Sequence, residues 1–123
     1  MRIVGIGLDL TEIDRFADLI QKEAFLKKCY AAKEQELIAA KGVQAVQTAA
    51  ANFSGKEAFS KAVGTGFRGL KLSDIAILRN ELGKPYIELH GDAKKQYQKL
   101  KFEITLTHTH TTAAAVVIAM QED

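Results

Sequence analysis

VQAVQTAAANFSGKEAFSKAVG, running from Val43 to Gly64, is the stretch on which the fold turns. It is rich in alanine, holds no proline and ends on a glycine suited to a left-handed cap, so it predicts one helix over Val43–Val63. At 3.6 residues per turn, Val46, Ala50 and Phe53 share a face that Glu57 continues. The opposite face carries Ala51, Gly55, Ala58, Phe59 and Ala62, also small or apolar. A helix apolar nearly all round is a buried helix. Glu57 is then expected where an ionised carboxylate is costly unless a cation meets it. Lys61 stands one turn further on, and an ordinary Glu57–Lys61 helix pair competes with a functional reading.

Upstream, Met1 to Leu10 mixes Ile3, Val4, Ile6 and Leu8 with Gly5 and Gly7, which predicts a strand closely approached by another element. From Thr11 to about Ala40 the pattern is helical, with Thr11 as the expected cap and Ile13, Phe16, Ala17 and Ile20 on one face; Gly42 breaks it. Downstream, Asp74–Leu78 and Pro85–Leu89 read as strands, with Gly83, Lys84 and Pro85 at the turn between them. Asp92–Lys101 reads as a short basic helix. Phe102–Met120 reads as two strands, the second of which (Ala113–Met120) is continuously apolar, as a central strand is. The class is α+β: a single domain over residues 1–123, with a mainly antiparallel sheet packed on the long buried helix.

At 123 residues the chain is near the commonest domain size, but small for a deep site built from one copy. A site shared between subunits follows naturally. Seventeen Lys+Arg against fifteen Asp+Glu is too balanced for a nucleic-acid binder. Cys29 stands alone, which fits a reducing compartment. No membrane-length apolar run and no signal-peptide pattern are seen, so the expectation is a soluble, cytoplasmic protein.

Asp9 closes the run Gly5-Ile6-Gly7-Leu8-Asp9, a position that can set a carboxylate against the buried helix; a turn or helix-capping aspartate is the competing reading. Two carboxylates with waters and phosphate oxygens suit magnesium. Gly64-Thr65-Gly66-Phe67-Arg68-Gly69 has the glycine spacing of a dinucleotide fingerprint, but it follows a helix where that motif must follow a strand, so the nicotinamide reading is rejected. What remains is a glycine-rich turn flanked by Lys56, Lys61, Arg68 and Lys71, whose donors can meet phosphates; a solvated basic loop is the alternative. Strand geometry puts Ile104, Leu106, His108 and His110 on one side. With His90 distant and the one cysteine elsewhere, zinc is poorly supported. His108 is read as a donor to phosphate and His110 as an exposed strand-end residue.

Taken together, Gly5-Ile6-Gly7-Leu8-Asp9-Leu10-Thr11-Glu12-Ile13, the run from Phe53 to Gly66, Gly83-Lys84-Pro85 and Thr105-Leu106-Thr107-His108-Thr109 resemble the holo-[acyl-carrier-protein] synthases, the small bacterial 4'-phosphopantetheinyl transferases. The resemblance implies a 4'-phosphopantetheinyl transferase-like fold. It implies magnesium-dependent transfer of phosphopantetheine from coenzyme A to a serine of acyl carrier protein, in support of fatty acid biosynthesis, with adenosine 3',5'-bisphosphate released. Asp9 and Glu57 would be the metal ligands, Glu57 and Lys61 the catalytic pair, and Lys61, Gly64, Gly66, Pro85 and His108 the coenzyme contacts. Glu57 would take the serine proton directly or through a water, restrained by Lys61. A homotrimer with sites between subunits is implied, and so is a carrier-protein surface on the first helix, where Arg15, Lys22, Lys27 and Lys28 stand. The chain departs from the family at Asn52, usually arginine, at Ser54 and Gly55, usually alanines, and at Ala31, usually threonine. Losing the arginine would remove a salt bridge or a coenzyme or partner contact. The alternatives are a coenzyme A or nucleotide-binding module without turnover, and a magnesium-dependent phosphohydrolase.

Overall fold

The long helix forms, as α4 over Ala45–Val63, after a short 3-10 turn at Gly42–Gln44. Gly64 ends it in the left-handed region at φ 83°, where a side chain would be strained. The computed structural model describes residues 1–66 and 68–123; Phe67, in the glycine-rich turn, lies outside the described residues. Ahead of α4 come strand β1 (Arg2–Glu12) and three short helices, α1 (Phe16–Leu19), α2 (Glu23–Cys29) and α3 (Ala32–Ala40). After it follow β2 (Ile75–Arg79), β3 (Pro85–Leu89), α5 (Gly91–Tyr97), β4 (Leu100–His108) and β5 (Thr112–Gln121). The strands make an antiparallel three-stranded sheet in the order β1-β5-β4 and an antiparallel β2-β3 pair. The architecture is α+β, with β5 central as its unbroken apolar character predicted.

Two expectations need correction. Thr11 caps no helix: β1 continues through it to Glu12, and its hydroxyl is spent on Asp9. The helical block is three short pieces, because aromatic packing of Phe16 with Phe25 and Phe53, and of Phe25 with Tyr30, folds the segment against α4. Asp9 accordingly lies within a strand, paired across from Ala115, and not at its end.

Helix α4 lies between two clusters of core residues. One gathers Ala58, Phe59 and Ala62 with Ile75, Ile77, Ile104 and Val117; the other gathers Ala49 and Ala50 with Phe16, Tyr30 and Ala113. Its close fit to β1 explains the glycines of that strand. A Cβ on Gly5 or Gly7 would stand 1.8 Å from the carbonyl oxygen of Ala62 or Ala58, so only bare backbone fits. Because Gly5, Gly7, Asp9 and Thr11 take the inner face, β1 turns its large apolar side chains outward. Ile6, Leu8 and Leu10 are 61%, 59% and 71% exposed. They pair across to Ile118, Val116 and Ala114 of β5, giving the β1–β5 part of the sheet an apolar outer face, while β4 carries Glu103, Thr105 and Thr107 there.

Candidate active site

Strand β1 delivers Asp9 to the inner face of the sheet, and α4 supplies what surrounds it. Ser54, Glu57 and Lys61 recur at helical spacing on the side of α4 that meets β1. The Ser54 hydroxyl donates to Asp9 Oδ2 at 2.9 Å and to the Asp9 carbonyl at 3.1 Å. Thr11 Oγ1 donates to the same Oδ2 at 2.8 Å. Lys61 Nζ donates to the Leu8 carbonyl at 2.9 Å and reaches Asp9 Oδ1 at 3.5 Å. One carboxylate oxygen is thus fixed by two hydroxyls, while Oδ1 is held loosely and stays available.

Glu57 is half-buried beside this carboxylate. Burial pushes its carboxyl above the ordinary value, and the Asp9 charge pushes the same way; Lys61 and Arg15 pull against both. A half-buried Glu57 whose charged form the site resists, beside an Asp9 with a loosely held oxygen, fits a hard divalent cation that completes its shell with water and phosphate oxygens. Among the described residues no group of three or more His, Cys, Asp and Glu gathers as a closed metal cage. The placement of Lys61 differs from the expected Glu57–Lys61 contact: its ammonium donates to the Leu8 carbonyl and reaches Asp9 Oδ1 only at 3.5 Å, so it lies against the strand and not on its helix neighbour.

The glycine-rich turn behaves differently from the reading of it as a phosphate cradle. The Gly64 N–H donates to the carbonyls of Ser60 and Lys61, and the Gly66 N–H to Ser60, so both donors close the end of α4. A coenzyme contact at Gly64 or Gly66 would use their bare backbone surface, since nothing lies within 4 Å of where a Cβ would be. Lys56 is no phosphate donor. It is fully buried, with Nζ 2.6 Å from Glu34 Oε1, 2.9 Å from the Leu72 carbonyl and hydrogen-bonded to the Ile75 carbonyl. Burial lowers its pKa and the Glu34 charge resists that.

Pro85 and His108 come together elsewhere. They line a cavity of about 240 Å³ with Lys41, Thr48 and Arg79, and none of Asp9, Glu57, Lys61, Gly64 and Gly66 reaches it. His108 is on β4 and Asp9 on β1, the two edge strands, roughly 10 Å apart at ordinary strand spacing with β5 between. The predicted residues therefore form two groups, one on each edge of the sheet. His110 sits exposed in the turn after β4.

Asn52 answers the loss of the family arginine. Its Nδ2 donates to Glu34 Oε2 at 3.0 Å and to the Ile77 carbonyl at 2.9 Å, while Oδ1 accepts from Arg79 Nη2 at 2.8 Å. A guanidinium still stands beside position 52, but it arrives from β2. Ala31, where threonine is usual, leaves half a capping box: its N–H still donates to Glu34 Oε1 at 2.9 Å, with no side-chain oxygen to return the bond. Of the predicted carrier surface, Arg15 stacks over Phe16 and Phe53, its guanidinium carbon 5.1 and 5.5 Å from their ring centres, beside Glu57; Lys27 is paired to Glu23. Ser54, Thr11, Asn52 and Arg79 were not singled out as site residues from the sequence. Ser54 was legible, three residues before Glu57 on the same helical face. Arg79 was not, because its contact spans 27 positions.

Residues 5–117 match the model of the family described as the 4'-phosphopantetheinyl transferase superfamily. The holo-[acyl-carrier-protein] synthase of Alkaliphilus oremlandii is 41% identical over 122 residues, covering 96% of this chain and 99% of that protein. The crystal structure of the Neisseria meningitidis holo-[acyl-carrier-protein] synthase superposes with TM-score 0.86 at 28% identity, over 98% of this chain and 100% of that one. The Bacillus anthracis synthase, solved in complex with CoA (3',5'-ADP), superposes with TM-score 0.83 at 27% identity, over 98% of each chain. By sequence and by fold, this chain belongs to the 4'-phosphopantetheinyl transferase superfamily.

Proposed function

We propose that the chain is a holo-[acyl-carrier-protein] synthase: it transfers 4'-phosphopantetheine from coenzyme A to a serine of apo acyl carrier protein and releases adenosine 3',5'-bisphosphate, in a cytoplasmic setting and in support of fatty acid biosynthesis. The observation that carries this reading is the meeting of Asp9, Glu57 and Lys61 at the crossing of β1 and α4, in a chain of this superfamily. Asp9 and Glu57 would hold magnesium, which when bound supplies neutralising charge for the pyrophosphate. The chemistry left to the protein is alignment. Ser54 and Thr11 fix Asp9, and Lys61 offers an exposed ammonium to a phosphate oxygen. Glu57, at the same crossing, would take the serine proton directly or through a water. The serine oxygen then bonds to the β-phosphorus, and the bond to adenosine 3',5'-bisphosphate breaks with its electron pair leaving on that product.

The test is incubation with apo acyl carrier protein, coenzyme A and magnesium, read by intact mass. No phosphopantetheine gain, with a known transferase succeeding in parallel, overturns the reading. Ligand-dependent thermal stabilisation without a modified carrier would point instead to a binding module.

The working form is taken to be a ring of three chains. The two site groups stand on the two outer strands of one sheet and β1 carries an exposed apolar face, which supports head-to-tail cyclic association: the Asp9 group of one subunit would complete a site with the His108 group of the next. Ile6, Leu8 and Leu10 would be covered in that contact. The arrangement predicts complementation. Glu57→Gln and His108→Ala chains, each depleted in transfer, are expected to recover activity when unfolded, mixed in equal amounts and refolded. Random assembly leaves about a quarter of the shared sites with both halves intact. Mixtures no more active than their parents would place each site within one chain.

A further inference from the structure

The cavity shared by Pro85 and His108 has a chemical bias that the transferase reading does not by itself assign. Its lining includes Lys41, Arg79 and His108, with the hydroxyls and amides of Thr48, Gln44 and Gln47 nearby, and no carboxylate. A hollow with two cations, a histidine and neutral donors is complementary to an anion. Arg79 is the member whose placement needs explaining. It lies half-buried on the last residue of β2, and among the described residues no carboxylate forms an ion pair with it. Its firm partner is neutral: Asn52 Oδ1 at 2.8 Å from Nη2, with only long contacts of 3.4 Å from Nη1 to the Ile77 and Leu78 carbonyls. The nearest negative charge acting on it, Glu34, is held off behind Asn52, so a guanidinium half-withdrawn from water has donors left for a ligand.

Asn52 is built to hold it there. The Asn52 side chain is fully buried, and its amide nitrogen is committed to Glu34 Oε2 and the Ile77 carbonyl. With both donors taken, the amide cannot turn over without setting its oxygen against two acceptors, so Oδ1 must face Arg79. Glu34 is held in turn by Lys56, so the guanidinium hangs from a buried chain of polar groups, not from a mobile surface.

We infer that Arg79 binds a phosphate group of the coenzyme and that Asn52 is its positioning residue. The assignment rests on the transferase reading, under which coenzyme A brings two separated anions, the pyrophosphate and the ribose phosphate. The pyrophosphate is claimed by the Asp9 and Glu57 group. The acid-free cavity, on the other edge of the sheet, suits the second.

The experiment measures coenzyme A binding by calorimetry, and steady-state kinetics, on the full chain and on Arg79→Gln, Arg79→Lys and Asn52→Leu. Losing charge-assisted hydrogen bonds to phosphate is expected to weaken coenzyme A binding by about tenfold to a hundredfold in Arg79→Gln. Arg79→Lys, which keeps the charge without the fork, is expected to fall between. Asn52→Leu is expected to match Arg79→Gln in its effect on KM for coenzyme A while leaving KM for the carrier protein unmoved, and the double variant to be no worse than either alone. General loosening of the fold would move both constants. Repeating the titrations with 3'-dephospho-coenzyme A separates the sources. Wild type and Arg79→Gln binding it alike assigns the ribose phosphate, and a persisting difference assigns the pyrophosphate. Arg79→Gln and Arg79→Lys both binding coenzyme A within twofold of wild type overturns the inference and leaves the transferase reading standing. A wild-type chain that binds no coenzyme A removes both.

Discussion

Glu57→Gln is expected to abolish phosphopantetheine transfer while leaving the metal-free chain at least as stable as the wild type. The two effects have one origin. Without a cation, Glu57 is half-buried beside Asp9, and burial followed by the Asp9 charge raises its pKa; Lys61 and Arg15 offset this only in part. A carboxyl whose pKa is raised by folding favours the native state at pH below its ordinary value. That advantage disappears as pH rises through the folded-state pKa, because the ionised form is the one the site resists. Glutamine keeps the shape and removes the charge, so metal-free Tm near neutral pH is expected to equal or exceed that of the wild type, and its decline with rising pH to flatten. Activity moves the other way. Losing a metal-facing carboxylate that is also placed to accept the serine proton is expected to cost about a thousandfold or more in kcat/KM. The checks are thermal unfolding in chelator across pH and carrier modification by intact mass. An active Glu57→Gln, or an inactive one with a collapsed Tm, would remove Glu57 from the role given to it.

What the sequence disclosed and what it hid divide along the range of the interactions. Alanine content and Gly64 mark α4 because helix propensity and capping are local, and the continuous apolar run marks β5 as central for the same reason. Gly5 and Gly7 announced a close approach but not the partner, which proved to be α4, more than fifty residues on. Lys56 misled. Its neighbours Glu57 and Lys61 face the site, and a lysine in such company reads as a phosphate donor. The partner that draws it inward, Glu34, lies 22 positions away, beyond what helical periodicity can report. Thr11 misled for the converse reason: a hydroxyl before a helical pattern is a cap unless a distant strand continues to pair past it, as β5 does here with Ala113. The separation of Asp9 from His108 is a property of sheet order alone, and no motif spacing encodes it.

Lys56→Met should be among the most destabilising single substitutions in the chain, although Lys56 touches no part of the reacting group. Its ammonium and the Glu34 carboxylate are both wholly excluded from solvent, 2.6 Å apart. Such a pair adds little net stability over a matched apolar pair, yet removing one partner strands the other charge where water cannot reach it. Here the stranded group would be Glu34, which also accepts from the Ala31 N–H and from Asn52, and the carbonyls of Leu72 and Ile75 would lose their donor as well. The expected loss is about 3–5 kcal/mol, read as a lowered urea midpoint at fixed protein concentration. Glu34→Gln in the same background tests the cause. The amide still accepts one hydrogen bond but carries no charge to strand, so the double variant is expected to recover a large part of the loss, which is strong coupling between residues in contact. Additive losses would mean that Lys56 stabilises independently of Glu34, as through its ammonium over the Tyr30 ring, whose centre lies 5.4 Å from Nζ. Recovery by the neutral pair would mean that the loss comes from the stranded charge, in a part of α4 where Asn52 and Lys56 pin one side of the helix to β2 and leave Glu57 turned toward Asp9.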